Sequence, residues 1–333
     1  MHNKGSEPVS KSASNWADIC EGLLRLFGKK QTTMTGQVGL AVNGKDWSFI
    51  WADPSKEVGQ LRHWETLTEG DEMNALTLRQ RVAALSLQDL PCHCVLDIKD
   101  YNLQLVEAPA VPDSELKMAI QFQLKNDVVV PLDEIELQLL EVPEGAYSNQ
   151  GKMYYAAAVE RRKIVEVRDR ILAAGLHLES IGIRELAFKN LALMLNDDSA
   201  GLASLEIRAG VAKLNLLKAG KLFLTRNLTT AVDHAAMASP DWKSTLDRLV
   251  VELQRSLDYF ENQMGQGQIL NLVLAPVPGL TNQLVEELNR SMMISAEALD
   301  VNKVWGSGTL LSAQDQHDLL FAAGAALSGW PTS

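Results

Sequence analysis

The sequence predicts an α/β fold duplicated into two lobes, and three features predict it. A hairpin pattern lies near the start, at residues 38–52 (VGLAVNGKDWSFIWA), and another opens the second half, at residues 202–228 (LASLEIRAGVAKLNLLKAGKLFLTRNL). Apolar residues alternate in each, as on a half-buried strand. Each hairpin is followed by helical and strand-like stretches in a similar order, the pattern of helices covering mixed sheets. The third feature is size. A chain of 333 residues with 46% hydrophobic composition is long for one core, so two lobes are the natural division.

Residues 1–14 are polar and rich in Ser and Lys, which predicts a disordered tail. Residues 15–30 (NWADICEGLLRLFGKK) predict an amphipathic helix. Asn15 caps it, Trp16, Ile19, Leu23, Leu24 and Phe27 share a face, and Lys29 and Lys30 suit its negative end. It reads equally as a helix docked on a partner or membrane and as one packed on its own domain. The first hairpin then turns at Asn43–Gly44, a type I′ signal. Residues 61–85 contain helical material, with 76–87 the clearer half. Residues 92–97 and 101–107 read as strands paired around Lys99 and Asp100. Asp113 caps a helix over 114–126, in which Leu116, Ile120 and Leu124 repeat every four residues. A strand follows with Ile135, Leu137 and Leu139, then a loop over 142–150 and a strand over 152–159. A helix over 161–174 ends at Gly175, and 181–195 give a short strand and a helix. The polar run NDDSAG (196–201) divides the lobes, giving 1–34 as tail and helix, 35–195 as the first lobe and 196–333 as the second.

The second hairpin alternates at Leu205, Ile207, Leu214 and Leu216, turns near Ala219–Gly220 and returns over 222–225. A long helix over 245–264 carries Leu246, Leu249, Val250, Leu253, Leu257 and Phe260 on one face, with Asp241 just before it. A buried strand over 269–274 runs into APVPGL, and helices follow over 281–290 and 318–327. Ala322, Ala323, Gly324, Ala325 and Ala326 predict close packing for the last of them.

Composition narrows the function. The net charge of −11 argues against a nucleic-acid surface and against non-specific binding to an anionic membrane. Three cysteines, Cys20, Cys92 and Cys94, fit a reducing compartment better than a disulfide framework. Residues 1–15 hold no apolar signal core, and the longest apolar runs, 269–280 and 319–330, fall short of the ~20 residues a membrane span needs. The expectation is a soluble cytoplasmic protein.

Two motif matches fail on chemistry. Gly39-x4-Gly44-Lys45 approximates a P-loop, yet Asp46 stands where a Ser or Thr must hold magnesium, and a strand follows where a helix is needed. Cys92-His93-Cys94 suggests a metal, but a strand puts the thiols on one face and His93 on the other, and no further Cys or His lies nearby. His63, His177, His234 and His317 are scattered, with no metal-spaced pair and no nucleophile motif. No catalytic residue and no metal site are expected.

Several stretches together resemble the PilM family of type IV pilus assembly proteins. Val130-Pro131-Leu132-Asp133-Glu134-Ile135 matches the second half of the family's IPFPLEEV-like run, within MAIQFQLKNDVVVPLDEIELQLLEV. AAAVERRKIVEVRDRILAAGLHLESIGIRELA (156–187) is similar to its strand, helix, AGL turn and closing strand. LVVELQRSLDYFENQ (249–263) is similar to its long helix. Order and spacing agree over about residues 35–327. The resemblance implies an actin-like, ribonuclease H-like duplicated fold with an inserted subdomain near residues 90–145 of the first lobe. The family's branches include ATP-binding pilus proteins, the MSHA biogenesis protein MshI and the cytoplasmic part of the type II secretion protein GspL. Lack of a span and diverged nucleotide motifs make MshI the most similar.

The resemblance also implies where a nucleotide would sit. The family's first phosphate loop falls on Ala41, Asn43 and Ser48, which supply neither its acid, its glycine nor its lysine. The second falls on Glu206, which keeps an acid, and Arg208, which replaces a glycine. The adenosine loop falls on the stretch around Pro276, without its paired glycines. A degenerate site without cofactor is expected, the alternative being ATP with magnesium in a weak, regulatory ATPase. The implied partner is the cytoplasmic tail of a PilN-like inner-membrane protein, with the assembly ATPase as a further candidate and nucleic acid excluded. The implied place is the cytoplasmic face of a bacterial inner membrane. A groove for the tail would involve Ile120, Phe122 and Leu124 of the insert helix and the corner Val129, Val130, Pro131 and Leu132.

Overall fold

A computed structural model describes residues 35–53, 59–67, 75–126, 130–147, 151–208, 210–306 and 310–329. The readings on residues 1–34 and on Val129 lie outside the described residues.

Strands β1 (Gln37–Asn43), β2 (Asp46–Asp53) and β3 (Gly59–Leu67) form an antiparallel meander. Asn43 stays in the ladder opposite Asp46, so Gly44 and Lys45 make the tip. Gly44 alone of these two has a positive φ, 65°, so the turn lacks the second left-handed residue of a type I′ turn. Strand β2 follows it directly, as the rejection of the P-loop required. β3 occupies the first part of the expected helix. Its Leu61 is buried between less buried neighbours, the period-two pattern of a paired strand, and the helix is confined to α1 (Ala75–Ala84).

Strand β4 (Pro91–Val95) does not pair with β5 (Tyr101–Glu107), contrary to the sequence reading. β4 runs parallel to β1, while Asp97 caps a 3-10 turn at Ile98–Asp100 that redirects the chain into another sheet. There follow α2 (Asp113–Gln123), β6 (Ile135–Glu141) and β7 (Met153–Glu160). The three-stranded sheet β5-β7-β6 is therefore drawn from residues 101–160, and β4 belongs to the main sheet. Alternation along β7 serves two cores. Tyr154, Ala156 and Ala158 pack with Ile120, Leu124, Ile135 and Leu137 beneath α2, while Tyr155 points into the main core.

The chain returns through α3 (Arg161–Ala173), β8 (His177–Gly182) and α4 (Arg184–Leu195). The second half opens with β9 (Leu202–Arg208), β10 (Gly210–Lys218) and β11 (Lys221–Val232). The expected single hairpin is thus a three-stranded meander, with a first turn at Gly210, φ 77°. A short α5 (His234–Ala238) precedes α6 (Trp242–Asp258), which runs on into a π turn over Tyr259–Gln263. The rest comprises β12 (Asn271–Leu274), α7 (Thr281–Ser291), β13 (Ser295–Ala298), α8 (Val301–Val304), β14 (Trp305–Gly306) and α9 (Ala313–Ala325).

The main sheets run β14-β3-β2-β1-β4-β8 and β11-β10-β9-β12-β13. Each is an antiparallel meander whose first strand carries two further parallel strands. That shared order is the duplication expected from the two hairpins. The C-terminus departs from the expected division: β14 pairs with β3, and α9 packs on β1, β2 and α4 of the first lobe. Two glycines allow this approach. A Cβ on Gly39 would lie 2.0 Å from the Ala322 carbonyl oxygen, and one on Gly324 would lie 2.1 Å from that of Ala187. Helices α1 and α3 cover the other face of the first sheet through Leu78, Val82, Val167 and Ile171. Among the described residues no helix is long and apolar enough to cross a membrane.

Candidate functional site

In open α/β sheets, ligand sites gather beyond the C-terminal ends of the parallel strands. Here those ends deliver Asp97 after β4, Arg184 and Glu185 after β8, and Pro276 after β12. The meanders add Asn43 and Ser48 from the first lobe and Glu206 and Arg208 from the second. Hydrogen bonds or ion pairs join each of these to the chain around the interlobe cleft. Ala41, fully buried in β1, contributes only packing.

On the first-lobe side, the Gly44 N–H donates to the Asp97 carboxylate, whose other oxygen accepts from the Lys99 N–H at 3.0 Å. Arg184 donates to Asn43 Oδ1 at 2.7 Å and lies 3.8 Å from Asp97. Ser48 Oγ donates to the Asp318 carbonyl at 2.5 Å. On the second-lobe side, Arg208 Nε lies 3.6 Å from Glu206, and its terminal nitrogen donates to the His317 carbonyl. His317 Nδ1 donates to the Pro276 carbonyl at 2.7 Å, which fixes the proton on that nitrogen. The guanidinium carbons of Arg184 and Arg208 stand 4.7 and 5.2 Å from the ring centre of Phe321 on α9. Lys213 ion-pairs with Glu185, which also accepts from Tyr101 Oη at 2.7 Å.

Three cations, Arg184, Arg208 and Lys213, thus face three carboxylates, Asp97, Glu185 and Glu206. Arg184, Glu185, Glu206 and Lys213 are only 5%, 1%, 6% and 8% exposed, so pairing within the chain replaces hydration. Burial pushes the Glu206 carboxyl up, opposed first by Arg208. Burial pulls the Arg208 guanidinium down, opposed by Glu206, and His317 is lowered by burial and then by Arg208. Burial, then the Glu185 charge, raises the Tyr101 phenol well above its ordinary value. A magnesium nucleotide needs open amides and free carboxylates. Here the Gly44 amide is held by Asp97, and the acids are tied to cations. The turn after β12 closes on itself, with the Val277 N–H donating to Thr281 Oγ1 at 2.8 Å. The residues present do not fit that ligand in this arrangement.

Sequence reasoning missed Asp97, Tyr101, Arg184, Glu185, Lys213, His317 and Phe321. One signal was there: Asp97 and the Arg184-Glu185 pair are charges set in apolar stretches at strand ends. Cys92 and Cys94 point into the core beneath α1 and α3, and burial raises the Cys94 thiol to about 12. His93 turns the other way, 2.8 Å from Ser180 Oγ. Among the described residues no cluster of His, Cys, Asp and Glu is suited to a metal.

The groove residues need a correction. Ile120 and Leu124, 0% and 4% exposed, form the interior of the insert, because the buried face of α2 is the one turned to its sheet. Phe122 and Met118 stand on the opposite face, 67% and 68% exposed. Val130 and Leu132 are half-buried and Pro131 is exposed, with the Gln121 amide holding the Leu132 carbonyl.

No protein-family model and no curated protein matches the sequence. Solved structures do. A chain of a PilM–PilN type IV pilus biogenesis complex aligns with a TM-score of 0.62 at 18% identity, over 89% of this chain and 98% of that one. The fold is actin-like. The cytoplasmic domain of EpsL, an inner-membrane component of the type II secretion system of Vibrio cholerae, aligns at 0.48 and 12% identity, over 89% and 96% of the two chains. A Bacteroides thetaiotaomicron protein described as having an actin-like ATPase fold and unknown function aligns at 0.49 and 9%, over 88% and 99%. At these identities the likeness is one of fold.

Proposed function

We propose that the chain is a nucleotide-independent, actin-like scaffold of an inner-membrane assembly platform for a type IV pilus of the MSHA kind. It works on the cytoplasmic side by binding the cytoplasmic tail of a PilN-like membrane protein. One observation carries the nucleotide-independent reading: the cleft's charges are paired with one another and its Gly44 amide donates to Asp97. The likeness to a chain from a PilM–PilN complex supports the class of partner. Diverged positions Ala41, Asn43, Ser48, Arg208 and Pro276 agree with a site that has lost its ligand.

Titration with Mg-ATP during thermal unfolding tests the reading. A ligand at 100 times its Kd adds about 2.7 kcal/mol, a shift of several degrees for a chain this long. The expected result is no shift at millimolar ATP. A clear rise, with hydrolysis, supports the alternative of an ATP-regulated assembly protein, for which the retained acid Glu206 is the favouring feature.

A further inference from the structure

Charges cross between the lobes and the insert beside the apolar core they share and the bond from the Thr225 N–H to Tyr155 Oη. Lys213 stands on β10 of the second lobe, Glu185 in the first turn of α4, and Tyr101 at the start of β5 in the insert. The Lys213 ammonium pairs with one oxygen of Glu185 and the Tyr101 hydroxyl bonds the other at 2.7 Å. One carboxylate therefore joins the second lobe, the first lobe and the insert. Register puts Lys213 directly opposite Glu206 on β9, so the ion pair leaves the same cleft-facing side of the sheet. A second crossing runs beside it, from Arg208 on β9 to the His317 carbonyl on α9, the helix seated on the first sheet.

We infer that Glu185 is an interlobe clasp, which holds lobes and insert closed with groups of the chain itself where a bound ligand would otherwise bridge them. The inference rests on the nucleotide-independent reading above. Its physical basis is that opening separates Lys213 from Glu185 and leaves a buried charge without its partner. Glu185 acts as a positioning residue: it touches no ligand and sets the angle between the lobes.

Spin-label distances in the full chain test this. Gln80→Cys on α1 with Gln283→Cys on α7 reports the lobes, and Glu144→Cys with Gln283→Cys reports the insert; all three positions are exposed. Cys20→Ser removes the third thiol, while Cys92 and Cys94 are buried. The unsubstituted cleft is expected to give one narrow distribution, unchanged by Mg-ATP. Lys213→Met is expected to add a longer lobe-to-lobe distance and to speed amide exchange in β9 and β10 on the order of 100-fold, as breaking a buried pair does. Tyr101→Phe is expected to broaden only the insert distance, and it decides the matter even if Lys213→Met fails to fold. Distributions identical to the starting protein in the folded variants overturn the clasp. A starting distribution that narrows with Mg-ATP overturns nucleotide independence and leaves the clasp to be judged by the two variants.

Discussion

Gly39 and Gly324 have neither a turn nor a positive φ to explain them; backbone oxygens explain them. A methyl at either position would sit about 2 Å from a carbonyl oxygen, a contact that only movement of α9 relieves. Overpacking of this kind costs roughly 1–3 kcal/mol or more. Gly39→Ala and Gly324→Ala are each expected to lower the urea midpoint by at least that much, while Gly145→Ala, with nothing within 4 Å and φ 80°, loses only its backbone preference. His93 carries the pH dependence at this scale. Burial lowers its pKa to about 4 from 6.5, so the folded state binds fewer protons between these values. Stability is full above pH 6.5 and falls as pH drops to about 4, by roughly 3 kcal/mol for this group. Unfolding of His93→Gln, followed from pH 7 to 4, is expected to lack that part of the slope. The side chain's orientation was legible from strand alternation. Its partner Ser180 was not, because it comes from β8, far away in sequence.

At the scale of elements, α2 separates structure from recognition. Ile120→Ala empties a site in the insert's core and is expected to cost about 2–5 kcal/mol. Phe122→Asp, on the exposed face, is expected to leave stability within about 0.5 kcal/mol. If the insert receives the PilN-like tail, Phe122→Asp and Val130→Asp reduce its co-purification while Ile120→Ala, once folded, does not; unchanged capture by both Asp variants removes this face from the site. Helical periodicity identified α2 and its buried face, Leu116, Ile120 and Leu124, whereas Phe122 falls on the opposite side and cannot share one surface with Ile120 and Leu124. At β3 a strand forms where the sequence suggests helical material. Its pairing with β2, a tertiary fact, overrides a weak local pattern. α9 begins at Ala313, ahead of the expected 318, because Ser312 and Asp315 form a capping box.

For the molecule as a whole, the shared strand order of the two sheets ties the chain to actin-like architecture more firmly than any single motif. Its cleft closes on its own charges, and the decisive measurement is the response of unfolding to Mg-ATP. Replacing Arg208 by Gly puts a small residue near the first turn of the second meander but leaves Glu206 buried beside one fewer cation. Arg208→Gly is expected to destabilise the fold by a few kcal/mol, seen in thermal unfolding, without creating an ATP response. The sequence by itself determined the two-lobed α/β duplication, the turn glycines and the buried thiols. Those properties follow from alternation, turn chemistry and residue type over a few neighbouring positions. Only the tertiary structure decided that β4 and β5 part into different sheets, that α9 crosses back to the first lobe, and that Asp97, Arg184, Glu185 and Lys213 meet in the cleft. Each of these rests on contacts between residues distant in sequence, where local pattern holds no record of which charge faces which.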